Sequence, residues 1–132
     1  ASQEYKIIAG EYNMNCIKFH NKIPLGKVYE KISESHICML FLQEHLSFSL
    51  STKFCEYISQ RKKIIVFSNY GKTADFIVKN NLGYAAYPGN VTSALLQIIH
   101  DFMNNNLQFN SDFDVDQYSI PRLTDKLISC LK

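Results

Sequence analysis

The densest group of chemically useful side chains runs through Ser47-Phe48-Ser49-Leu50-Ser51-Thr52-Lys53 into Phe54-Cys55-Glu56-Tyr57. Here a polar, Ser-rich stretch gives way to a helical pattern that starts near Thr52 and extends to about Gln60. A hydroxyl at Ser51 or Thr52 can accept from an unsatisfied backbone N–H and cap that helix. A helix N-terminus carries about half a unit of positive charge, so with Lys53 beside it the tip is a natural cradle for phosphate. Glu56 follows Thr52 by four residues, which puts it on the same helix face one turn further in. An anion at the tip and a carboxylate one turn deeper suit a nucleotide, with phosphate on the tip and ribose hydroxyls on Glu56. The same residues also satisfy a plainer arrangement, in which the hydroxyl only caps the helix and Glu56 is a surface charge.

Other candidates are thinner. Ser68-Asn69-Tyr70-Gly71-Lys72-Thr73 joins an apolar run to a helical one and supplies a second helix start, or is an ordinary connection. His20 closes a short apolar run on the expected ligand side, where it is either a ligand contact or a half-buried structural histidine. His45 precedes the main loop, and His36 and His100 are scattered. Asp112-Phe113-Asp114-Val115-Asp116 lacks the glycine and closing glutamate of a calcium loop and reads as solvated chain. No His, Cys and Asp set has metal-ligand or nucleophile spacing, so no metal is expected and no catalytic group is assigned. Cys16, Cys38, Cys55 and Cys130 lack paired spacing. They read as reduced thiols, mostly buried, of a reducing compartment, and the expected location is cytoplasmic.

The elements that must position these residues follow from hydrophobic periodicity. Tyr5 to Gly10 reads as a strand ending in bare backbone, and Cys16 to His20 as a second short strand. Pro24 opens a helix carrying Leu25, Val28 and Ile32. His36 to Leu42 is a nearly continuous apolar run, as expected of a strand covered on both faces. Lys63 to Phe67 repeats that character. Ala74, Ile77 and Val78 give a short helix that ends at Asn80-Asn81, and Gly83 to Tyr87 a further strand. Val91, Ala94, Leu95, Ile98, Ile99, Phe102 and Met103 form one unbroken helical stripe. Residues 107–118 read as loop, and a terminal helix spans about 119–131. Alternating strands and helices with short connections predict an α/β fold: a Rossmann-like, mostly parallel sheet with helices on both faces, in a single domain over 1–132. Ligands of such sheets bind beyond the carboxyl ends of the strands, which singles out the loops after Gly10, His20, Leu42, Phe67 and Tyr87.

Composition bounds the function classes. The chain has 132 residues, 46% hydrophobic and 20% charged, the balance of a globular protein. Its formal net charge is +2, and Arg61-Lys62-Lys63 is the only basic run, which argues against a nucleic-acid partner. The start is polar, without the apolar core of a secretory leader, and no apolar run approaches the ~20 residues of a membrane span.

The segment from Ser51 to Val66 resembles the donor-binding helix and following strand of group 1 glycosyltransferases. That pattern is a small or hydroxyl residue, Lys, Leu or Phe, any residue, Glu, Tyr or Ala, then a Gly-Lys-Pro-Val-Ile-type strand. The flanks agree in order: Tyr5 to Gly10 with an apolar strand ending in glycine, Ile17 to Pro24 with a strand-turn-Pro segment, Val28 to Leu42 with a helix and apolar strand. Gly71 to Pro88 is similar to the family's Gly-x-x-x-x-Ile-Val…Gly…Pro run. The resemblance covers nearly the whole chain and rests on order more than on any one motif. It implies one half of a two-domain GT-B fold, the nucleotide-sugar-binding half without its first strand and helix, and without the acceptor domain. The implied function is binding of the nucleotide-sugar donor for a retaining transferase of polysaccharide or glycoconjugate synthesis. The chain alone would be inactive, and membrane association would at most be peripheral, through the full-length enzyme. The nucleotide-diphosphate sugar is then substrate, with no cofactor and no metal. By resemblance Glu56 holds the donor ribose and Ser51 and Thr52 touch the diphosphate; with Gly10, His20 and Lys53, read from their positions, they make up the expected donor-binding set. Two departures stand out. Phe48 occupies the position eight before Glu56 where many members carry a first glutamate, Glu44 being out of register. Arg61-Lys62-Lys63-Ile64 replaces Gly-Lys-Pro-Val. The alternative is a non-catalytic Rossmann or flavodoxin-type binding or signalling module, although Gln43 and Glu44 stand where a receiver domain needs its aspartate. A nucleotide-sugar epimerase would need additional acid and base groups.

Overall fold

The computed structural model describes residues 3–42, 51–68 and 71–130. The chain divides into two compact units, one up to Lys31 and one from Ile32 onward.

The first unit holds α1 (Gln3–Glu11), an irregular stretch through residue 24, and the start of α2 (Leu25–Glu34), which follows Pro24 as expected. Both strands expected here are absent. Tyr5 to Gly10 lies inside α1, and Cys16 to His20 is irregular. A short apolar run cannot by itself distinguish strand from helix. In this one Glu4, Lys6 and Ala9 favour the helix, which ends where Asn13 takes a left-handed φ of 50°.

The second unit is built on β1 (Ile37–Phe41), β2 (Lys63–Phe67) and β3 (Gly83–Ala86), all parallel in the order β1-β2-β3. Between them run α3 (Thr52–Ser59) and α4 (Lys72–Lys79), and after them come α5 (Val91–Met103) and α6 (Ile120–Cys130). Right-handed crossovers between strands laid down in sequence put their helices on one face. Accordingly Phe54 and Ile58 of α3 and Ala74 and Ile77 of α4 pack with Leu40, Ile64 and Val66 in one core. The opposite face carries Ile65 and Tyr84, which are register partners. There α5 docks through the Tyr84 hydroxyl, which donates to Asp101 Oδ2 at 2.7 Å.

Residues 107–118 are more than a loop. Phe113 is buried, and its ring meets Phe76 at 6.0 Å edge-on and Tyr118 at 6.2 Å stacked. Val115–Tyr118 forms a 3-10 turn, and Tyr118 sits edge-on to Phe54. This aromatic strap closes the outer side of α3 and α4. Conversely, α5 has the expected stripe but buries none of its residues: Leu95, Leu96, Ile99, Phe102 and Met103 are exposed. Met39 and Phe41 on the same sheet face are exposed too, Phe41 stacking on Phe67 at 4.8 Å. Among the cysteines Cys38 is buried and Cys55 partly so, whereas Cys16 and Cys130 are exposed; all four are free thiols. No described helix is long and apolar enough to cross a membrane.

Glycine is obligatory at Gly83. A Cβ there would lie 1.8 Å from the Ile64 carbonyl oxygen of β2. Gly83→Ala is therefore expected to cost about 2 kcal/mol or more in urea unfolding. Gly89→Ala, with open space around it, should stay within about 0.5 kcal/mol of the parent.

The α5 clasp sets a pH window. The bond from Tyr84, with those from His100 and Gln97, holds the Asp101 carboxyl below its ordinary range. Burial, then the bond to Asp101 and its charge, push the Tyr84 phenol well above the usual tyrosine value. The depressed carboxyl stabilises the fold above about pH 4 and loses that effect as pH falls through its lowered value. The raised phenol stabilises below about pH 10 and loses its effect as pH rises through the raised value. Tyr84→Phe should thus lower the melting temperature most near pH 7, and the difference should shrink in acid below about pH 3 and in alkali well above about pH 10, as thermal melts across pH will show.

Candidate functional site at the carboxyl edge of the sheet

In a parallel sheet every strand runs the same way, so each following helix begins at the same edge. The N-termini of α3, α4 and α5 follow the carboxyl ends of β1, β2 and β3 respectively. Their dipoles all present a positive end to that edge.

Of the sequence-derived candidates, Ser51, Thr52, Lys53 and Glu56 form one cluster here. Ser51 is the N-cap of α3, in extended backbone, and its Oγ accepts from the Phe54 amide at 3.2 Å. Its carbonyl accepts from the Cys55 amide. Thr52, the first helical residue, is exposed, and its amide has no acceptor within the helix. Lys53 Nζ donates to Glu56 Oε2 at 2.6 Å, bridging one turn. The Glu56 side chain is only 14% exposed, against 53% for Lys53, so the carboxylate is the more buried partner. The pair thus fixes Glu56 in one orientation one turn below the tip.

Gly10 and His20 belong to the first unit. Gly10 lies inside α1 rather than at a strand end, and His20 is exposed in the irregular stretch rather than at the end of a strand. The arguments that drew them from strand termini therefore fall. Ser47, Phe48, Ser49 and Leu50 of the approach to α3, with Glu44 and His45, lie outside the described residues, as do Asn69 and Tyr70 of the second loop.

What holds α3 in place is legible only in three dimensions. Phe54 and Ile58 are almost fully buried, and the Tyr57 hydroxyl donates to the Met39 carbonyl of β1 at 3.3 Å. Burial pushes up the Tyr57 phenol and the Cys55 thiol, so both are protonated at neutral pH and Cys55 is a poor nucleophile. At α4 the N-cap is Gly71, with φ 142° and no side-chain cap. Only glycine adopts that backbone easily. It gives α4 no capping side chain of its own, while Thr73 and Ser68 are buried nearby in sequence. At the third strand Asn90 Oδ1 accepts from the Tyr87 amide at 2.6 Å and fixes the turn into α5. Gly71 lies in the second candidate loop of the sequence, whereas Asn90 escaped sequence reasoning as a site-shaping residue, although an Asn just before a helical stripe is the available signal.

Among the described residues no group of three or more His, Cys, Asp or Glu is placed to hold a metal ion. A cavity of about 610 Å³ lies elsewhere, at the amino edge, between the segments entering β1 and β2 and the end of α5. No family model, curated protein or solved structure matches this chain.

The Ser51 cap makes a direct prediction. Ser51→Ala should destabilise the fold by about 1 kcal/mol in chemical unfolding, and Ser51→Asp, which can accept the same bond, should restore most of it.

Proposed function

We propose that the second unit is a Rossmann-like binding domain that takes a nucleoside diphosphate sugar at the tip of α3, as the donor-binding half of a retaining glycosyltransferase. The observation that carries the reading is the largely buried Glu56 carboxylate, one turn below a capped, cation-flanked helix start at the carboxyl edge of a parallel sheet. Three aligned helix starts give that edge a positive field without any ion, which favours a diphosphate over a neutral ligand. The order of elements from Leu25 to Met103 supports the resemblance to group 1 glycosyltransferases, because helix, strand, donor helix, strand, helix, strand and helix follow one another as that resemblance implies.

In the proposed complex the diphosphate accepts from the Thr52 amide and neighbouring backbone at the start of α3. Glu56 accepts from the ribose hydroxyls with the oxygen that Lys53 leaves open. Lys53 neutralises part of the phosphate charge. The chain's own contribution to sugar transfer is stabilisation of charge on the departing diphosphate. Transfer also needs an acceptor held in line with the donor. This chain alone is therefore expected to release no sugar and to transfer none.

Titration of the labelled chain with UDP, GDP and ADP, read by amide shifts, tests the reading. At least one diphosphate should shift the amides of Ser51 to Glu56, and binding should weaken with salt. Glu56→Gln should weaken that binding by roughly 1–3 kcal/mol with little effect on the melt. Shifts confined to another part of the chain, or a Glu56→Gln variant that melts early yet binds as well as the parent, would make Glu56 structural and remove the proposal.

A further inference from the structure

Four helices of the chain end alike. In α1, α3, α4 and α5 the residue two beyond the last helical position takes a left-handed φ between 50° and 55°, at Asn13, Arg61, Asn81 and Asn105. Its amide and the next one return to the last-turn carbonyls: Arg61 to Ile58 and Lys62 to Tyr57, Asn81 to Val78 and Leu82 to Ile77, Asn105 to Phe102 and Asn106 to Asp101. This closure favours glycine or asparagine at the left-handed position. Three of the four ends carry asparagine. The end of α3 carries Arg61, a side chain that the backbone there disfavours.

Arg61 stands on the cavity of about 610 Å³, which is the size of an ordinary small-molecule site. One wall is cationic, from Arg61, Lys62 and Lys63, and no carboxylate lines the cavity among the described residues. The other wall is apolar, from Phe102, Met103 and Leu107. His36 meets Phe102 edge-on at 4.8 Å and also lines the cavity. The lysines are oriented by neutral oxygens. Lys62 Nζ donates to the Ser33 and Ser35 carbonyls at 2.6 and 3.0 Å, and Lys63 Nζ to the Asn81 carbonyl and Oδ1 at 3.2 and 2.9 Å. Those bonds fix the ammonium groups on neutral oxygens. Asp101 acts on Lys63 through its charge while accepting bonds from Tyr84 and Gln97, so Arg61 and Lys62 carry most of the free positive charge of this wall.

We infer that this cavity binds a small soluble amphiphilic anion, its phosphate or carboxylate head on Arg61 and the two lysines and its apolar body against Phe102, Met103 and Leu107. Arg61 is the residue that meets the head group, since its fork of donors matches an oxyanion, and its backbone position suits glycine better. The site is at the opposite edge from Ser51 and Glu56 and is independent of the function proposed for them.

The test is an amide-shift titration of the full chain with octyl phosphate below its micelle concentration, beside inorganic phosphate, octyl glucoside and phosphatidylglycerol vesicles. Octyl phosphate should give saturable shifts at His36, Arg61 to Lys63 and Leu107. Inorganic phosphate should bind at least about tenfold more weakly, for want of apolar burial, and octyl glucoside should give no saturable shift there. Arg61→Gly should raise the melting temperature, by relieving the left-handed backbone, yet weaken octyl phosphate about tenfold or more. Leu107→Asp should also weaken it, and Glu56→Gln should leave it unchanged. Equal binding by Arg61→Gly, a lower melting temperature in that variant, equal affinity for octyl glucoside, or binding to vesicles without binding to soluble octyl phosphate would each overturn the inference.

Discussion

The second unit depends on the burial of β2 between two parallel neighbours. Ile64 and Val66 face one side, Ile65 the other, and all three are nearly inaccessible to solvent. The backbone of β2 is paired along both edges, to Ile37–Phe41 and to Gly83–Ala86. A strand so placed must be apolar on both faces, which explains the unbroken run Ile64-Ile65-Val66-Phe67. It also imposes direction. Parallel neighbours require a crossover each time, so the helices start at one edge and finish at the other. The functional asymmetry of the domain comes from that rule. Helix starts collect where β1, β2 and β3 end, and helix ends collect where they begin.

Much of this was legible in the sequence, and where it failed the physics is specific. The runs at His36–Leu42, Lys63–Phe67 and Gly83–Tyr87 became strands because each is apolar on both faces or closely packed against β2. A cap at Ser51 or Thr52 was legible because a hydroxyl just before a helical stripe can accept from a free amide, and it is the Ser51 Oγ that holds the Phe54 amide. Tyr5 to Gly10 misled because a six-residue apolar run carries too few turns to reveal its period. Residues 107–118 misled for another reason. Phe109, Phe113 and Tyr118 follow no helical or strand repeat, so their shared cluster with Phe76 exists only once the chain has wrapped around α3 and α4. The ion pair between Lys53 and Glu56 was implicit in a three-residue spacing, but the burial of Glu56 depends on packing that no spacing reveals.

Hydrophobicity is unevenly satisfied across the sheet. On the side of α3 and α4 the aromatic strap completes the core. On the side of α5 the Tyr84 hydroxyl bonds Asp101, Val91, Ala94 and Ile98 are half-buried, and Leu95, Leu96, Ile99, Phe102 and Met103 remain exposed, as do Met39 and Phe41 on the same sheet face. Apolar surface of this kind normally costs free energy in water, and a monomer rarely keeps it contiguous without a use. The Tyr84 clasp therefore has an orienting role: it fixes the rotation of α5 on the sheet where burial alone would specify it weakly.

The two edges solve opposite electrostatic problems with different residues. At the carboxyl edge the helix starts are positive, and Ser51 supplies an acceptor to α3 while Gly71 leaves α4 without a side-chain cap. At the amino edge the ends are negative, because the last carbonyls of each helix point outward. Lys62 and Lys63 reach back onto backbone oxygens there, and burial lowers the Lys63 ammonium from its ordinary value, so its charge is retained against a desolvation cost. Those two cations are oriented by the oxygens they touch. Arg61 adds a third charge at a position where its own backbone is disfavoured and where no hydrogen bond of the cap uses its side chain. A charge that the fold does not require, set in an unfavourable backbone conformation beside a half-apolar cavity, is better accounted for by what enters the cavity than by the stability of α3.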